Sequence, residues 1–277
     1  MVRAVPMSGL QLAFWRVLLG ALVYLAALTI SGRRLTRAQL RSTAPAALSI
    51  SLQIATFFVA VKATTIANAT VIVALTPILL LAVVARDTEE QVTTWLAAMA
   101  LITTGGVALV VFGSASETIW SLDGDLLSVV SLVLFACYFR FSKRARASVP
   151  AFEFQTGVWL IGTFALLPLA LIDAGGVVMP NSTQWLWIAA LLAGPGTGHL
   201  LMNWAHPRIR LTLSSMLTLA IPVLSTAGGA VFYSEGIDLA QVVGMCVVIS
   251  VLVLVVRRDA ALTGSSIPTP TPRPASD

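Results

Sequence analysis

The chain has 277 residues, of which 57% are hydrophobic and 10% charged, and its mean hydropathy of +0.91 excludes a water-soluble globule. The apolar residues come in long blocks parted by short charged patches, not as one core wrapped in a polar skin. The net charge of +5 comes from basic residues gathered at block ends, which argues for topology signals and against nucleic-acid binding.

A bilayer core of about 30 Å needs about 20 helical residues, and backbone groups in lipid must be satisfied internally, which leaves helices or closed barrels. The blocks have that length and do not alternate as barrel strands do, so the expected fold is an all-α polytopic membrane protein. Nine transmembrane helices are expected, at 9–30, 43–62, 66–85, 93–112, 124–142, 153–173, 184–204, 211–231 and 238–256. Lys62, Thr64 and Thr65 break the second span from the third; Pro207, Arg208 and Arg210 do the same between the seventh and eighth. Cys137 and Cys246 fall inside apolar blocks and are expected as buried thiols, with neither disulfide nor metal.

Basic residues mark every second loop. Arg33, Arg34, Arg37 and Arg41 follow the first span, Arg86 the third, and Lys143, Arg144 and Arg146 the fifth. Arg208 and Arg210 follow the seventh, and Arg257 and Arg258 the ninth. Those loops are expected in the cytoplasm, in a bacterial inner membrane, with the C-terminus on that side. The other loops carry Glu117, Asp123, Asp173 and Glu235 at or near them, with Trp120, Trp185 and Trp187 as interfacial indoles. Nine spans that end in the cytoplasm begin outside, so a missing first helix is expected. From Asp259 the Thr, Ser and Pro composition reads as a disordered cytoplasmic tail, 259–277.

Two segments superimpose: IANATVIVALTPILLLAVVARDTEE (66–90) and TLSSMLTLAIPVLSTAGGAVFYSE (212–235). Pro77 precedes Glu90 by thirteen residues and Pro222 precedes Glu235 by thirteen, so equivalent positions are 145 apart. A glycine-bearing span follows each, with Gly105 and Gly106 in one and Gly244 in the other. Five spans separate the copies, so they cross the bilayer in opposite directions and the halves form an inverted repeat, 1–122 and 123–258. Inverted copies can exchange conformations, as alternating access requires.

Candidate substrate-binding or gating residues follow from polarity inside apolar blocks. Arg16, in the first span, is a charge in hydrocarbon that must be paired, hydrated or snorkelled. Ser49, Gln53 and Thr56 share one stripe of the second span beside Phe57. Gln53 is the strongest ligand candidate there, with interhelical bonding as its alternative. Asn68 opens the third span, either as ligand or as helix cap. Pro77 and Pro222 each remove a backbone donor, which kinks a helix or frees a carbonyl. In the second half Tyr138, Gln155 with Trp159, and His199 with Asn203 offer an aromatic, amide-lined cavity, with helix packing as the plainer alternative. Gly194, Pro195, Gly196 and Gly198 predict a kinked or closely packed segment.

These features resemble the drug/metabolite transporter superfamily, and within it the EamA-type ten-helix permeases. The resemblance rests on AFWRVLLGALVYLAAL (13–28), on IANATVIVALTPILL, and on TLSSMLTLAIPVLSTAGGAVFYSEGIDLAQVVGMCVVI, and it covers most of 10–256. It implies two inverted five-helix units, the first of which lacks its first helix here. Arg16, Pro77, Pro222 and Glu235 are the positions it carries over.

The expected function is a secondary transporter, exporting a small metabolite, amino acid or amphipathic drug. The alternative is a non-transporting membrane subunit or sensor. No ATPase loop, zinc-protease helix or nucleophile elbow occurs in the sequence, so no enzyme is expected and no cofactor. Expected partners are membrane lipid and the small-molecule substrate, with a coupling ion and a homodimer left open and no nucleic acid.

Overall fold

The computed structural model describes residues 5–64, 66–87, 93–112, 121–173, 175–233 and 237–264. Glu90, Glu117, Trp120, Glu235 and the tail beyond Gly264 lie outside them. The chain runs α1 (Gly9–Ile30), α2 (Arg37–Ala63), α3 (Ile66–Val73), α4 (Thr76–Asp87), α5 (Thr94–Phe112), α6 (Leu122–Arg146) and α7 (Ala151–Asp173). It continues with α8 (Ser182–Leu191), a π-helical turn at Leu192–Gly196, α9 (Thr197–Ala205), α10 (Leu211–Leu217), α11 (Ala220–Tyr233) and α12 (Leu239–Gly264). Among the described residues, eight helical stretches are long and apolar enough to cross a membrane, and 67–82 adds a shorter apolar one. Eight of the nine expected spans are matched at spanning length and the third by that shorter helix, and the chain is an all-α polytopic membrane protein.

Polar residues at the span ends do local work. Ser8 caps α1 through the Gln11 amide at 3.1 Å, and Thr36 with Gln39 and Asn181 with Gln184 form reciprocal capping boxes on α2 and α8. The glycine-and-proline cluster at 194–198 becomes the π-helical turn, where irregular hydrogen bonding absorbs residues that suit a regular helix poorly. Two outcomes depart from expectation. Cys246 is exposed and Cys137 half-buried, because an apolar block in lipid must turn some of its face outward. The last helix also continues past Asp259 to Gly264, where Ala260, Ala261 and Leu262 are good helix formers. There Asp259 pairs with Arg210 at 3.3 Å and Arg258 stacks over Trp95 at 4.2 Å, so 259–264 is not part of a disordered tail.

Two cores organise the bundle. The larger joins α1, α2, α6, α7 and α8 around Leu12, Ile50, Phe139, Phe154 and Trp159. The smaller joins α5, α10 and α12 around Ala100, Val107, Met216 and Val248. A five-span offset matches α1 with α7 and α5 with α12, and both pairs pack extensively and run antiparallel. At one end of the first pair the Ser8 hydroxyl donates to Asp173; at the other, Arg33 Nε meets Glu153 at 3.0 Å. In the second pair the start of α5 touches the end of α12 through Trp95 and Arg258. A side chain on Gly244 would place its Cβ 2.6 Å from the Gly106 carbonyl, so glycine sets the approach of α5 and α12.

The two proline helices are each broken at corresponding places, between α3 and α4 and between α10 and α11. Pro77 cannot donate to the Val73 carbonyl, and the Thr76 hydroxyl takes that acceptor at 2.6 Å. Pro222 leaves the Thr218 carbonyl, which the Ile221 amide takes at 3.0 Å in a tightened turn. The kinks expected from the sequence are therefore complete interruptions whose carbonyls are answered locally.

Candidate functional site

A cavity of about 280 Å³ lies where the two cores and the two broken helices meet. Arg16 from α1 and Gln53, Phe57 and Phe58 from α2 form one wall. Thr70, Val73 and Ala74 precede the first break, and Thr218, Leu219, Ile221 and Pro222 surround the second. Phe135 of α6, Leu191, Pro195 of the π-helical turn and His199 of α9 complete the lining. Most of this surface is apolar or aromatic, with a few polar groups among it, the usual character of a small-molecule site.

Arg16 is 3% exposed, and its Nε and Nη2 have no hydrogen-bond partner among the described residues. Its guanidinium sits 5.7 Å from the centre of the Phe58 ring and 5.9 Å from that of Trp159. Such ring contacts return about 0.5–2 kcal/mol, less than a desolvated charge loses. The charge is held but not neutralised. His199 presents a second unanswered group, its buried Nδ1, with its ring edge-on to Tyr138 at 6.0 Å. Gln53 is better provided for, donating from Nε2 to Ser131 Oγ at 3.0 Å, a bond that ties α2 to α6.

Of the expected residues, Arg16, Gln53, Phe57, His199 and Pro222 come together around the cavity. Trp159 stands behind Arg16 as a supporting ring. Asn68 is buried in the first turn of α3 and Pro77 in that of α4, and neither is among the lining residues. Tyr138, Gln155 and Asn203 do not line it either. Asn203 Oδ1 accepts from the Tyr138 hydroxyl at 2.7 Å and from Ser142 at 2.8 Å. Asn203 Nδ2 donates to Gln155 Oε1 at 2.6 Å. The aromatic and amide groups expected to face a ligand satisfy one another instead.

Sequence reasoning missed Phe135, Thr218 and Ile221 as lining residues, since each is unremarkable within its apolar block. It also missed how firmly α1 is fixed at its start. Gln11 Nε2 donates to the carbonyls of Ala170 at 2.7 Å and Gly176 at 3.0 Å, and the Trp15 indole donates to Val178 O at 2.8 Å. These bonds place Arg16 one residue beyond an anchored turn.

Residues 122–257 match the model of the EamA-like transporter family. A solved structure titled only as a crystal structure of a protein shares the fold with a TM-score of 0.77, covering 94% of this chain and 91% of that one at 22% identity. The likeness of fold thus runs through the first half as well. No curated protein matches the sequence. From α6 into α12, then, the chain is similar to the EamA-like transporter family, and the whole is a multi-pass membrane protein that shares its fold with that solved structure.

Proposed function

We propose that the chain is a secondary transporter that exports a small metabolite, amino acid or amphipathic drug by alternating access. The carrying observation is the position of the cavity, against both broken helices and walled by α1, α2, α6 and the π-helical turn. Bending at either break would change the cavity's access without unfolding a span. The proposed units are 1–122 and 123–258, in a bacterial inner membrane with the basic loops and the C-terminus in the cytoplasm.

Counterflow into proteoliposomes, run over a panel of amino acids, organic acids and amphipathic drugs, tests the activity. Accumulation of a labelled substrate against its unlabelled form is expected, and a folded protein that moves none of the panel would end the reading. Accessibility tags after Gly32 and after Val178 should report opposite sides of the membrane. One observation favours the second reading, a non-transporting subunit or sensor. The most apolar part of the 182–205 span has only 17% of its residues enclosed, against 61% in that of α2, so one flank of the cavity is thinly covered.

A further inference from the structure

Of the chain's 12 acidic residues, the described ones, Asp87, Asp123, Asp125, Glu153, Asp173, Asp238 and Asp259, stand at helix ends or beyond the apolar spans. None of these pairs with Arg16, the eighth of the 22 residues of α1. A guanidinium stays charged at any accessible pH and is costly to bury alone. Around it the cavity supplies hydroxyl and amide groups from Thr70, Thr218 and Gln53 and the unanswered Nδ1 of His199, but no carboxylate. The remaining walls are aromatic rings, aliphatic chains and proline.

We infer that the cavity takes a monoanionic organic acid, its carboxylate paired with Arg16 and its apolar body against Phe57, Phe135 and Ile221. The inference rests on reading this cavity as the substrate site, and it narrows the substrate to one charge class. A bare inorganic anion would answer Arg16 and leave the apolar walls wet, whereas a neutral amphipath would fill the walls and leave the guanidinium unpaired. An amine meets repulsion from Arg16, and a zwitterion brings an ammonium group for which the lining has no counter-charge. The volume of about 280 Å³ is at the small end for ligand pockets, which suits a compact aromatic or branched acid.

Titration of the purified protein, followed by tryptophan fluorescence, compares 3-phenylpropanoate with 3-phenylpropanamide, 2-phenylethylamine, phenylalanine and acetate. The acid is expected to bind at least about tenfold more tightly than any of the others. Arg16→Gln should erase the preference of acid over amide, and Arg16→Lys should keep part of it. Equal binding of acid and amide, binding of none of the five, or an unchanged preference in Arg16→Gln would overturn the inference. If Arg16→Gln does not fold, the wild-type comparison alone decides. Counterflow separates this from the transporter reading: acids bound but never moved would leave the anion site and remove transport. Amides or amines moved in preference to acids would do the reverse.

Discussion

Among the described residues two arginines are buried, and their surroundings are opposites. Arg146 is 8% exposed at the end of α6; its Nε donates to the Asn203 carbonyl at 2.7 Å and its Nη1 to that of Val149. Arg16 is 3% exposed and faces a cavity with Nε and Nη2 unanswered. Arg146 joins a network in which Tyr138, Ser142, Gln155 and Asn203 answer one another. Burial alone therefore does not mark a site; burial without a partner, beside an empty space, does.

The contrast can be broken by measuring unfolding in mixed detergent micelles. Asn203→Leu should have the largest effect, a loss of about 3 kcal/mol, because the Tyr138 hydroxyl and the Gln155 carbonyl would stay buried without partners. Arg146→Met should cost about 2 kcal/mol by leaving the Asn203 and Val149 carbonyls without donors. Neither change should alter the preference for acid over amide. Arg16→Met should have the opposite sign, leaving stability unchanged or raising it by about 1 kcal/mol while abolishing that preference, since it removes a charge the fold does not pair. A destabilisation of Arg16→Met equal to that of Arg146→Met would erase the distinction. Smallest is Tyr138→Phe, about 0.5–1 kcal/mol, because Asn203 Oδ1 keeps the bond from Ser142.

The spans were legible because bilayer thickness writes itself into sequence as apolar runs of one length, and polar residues mark where those runs stop. The expected first span and α1 have the same bounds, 9–30 and Gly9–Ile30. The expected repeat rested on one proline and one glutamate, and the two helix breaks fall close to the two prolines. Side-chain partners were not legible. Arg16 stood out as a charge in hydrocarbon, yet whether it is paired depends on helices far along the chain. Tyr138, Gln155 and Asn203 have the residue types of a binding site, and only their mutual distances show them spent on one another. Glu153 lies in the first turn of α7, and its bond to Arg33 across the α1–α7 pair could not be read from position.

The Thr76 hydroxyl on the Val73 carbonyl has a mechanical consequence. A hinge in lipid ordinarily resists motion because bending strips carbonyls of their donors where no water can replace them. Here the acceptor opposite Pro77 is strapped from within its own turn, so the half-helices α3 and α4 can swing about the joint with that bond intact. What opposes the swing is then the remaining turn bonds at Leu75 and the fit of neighbouring side chains.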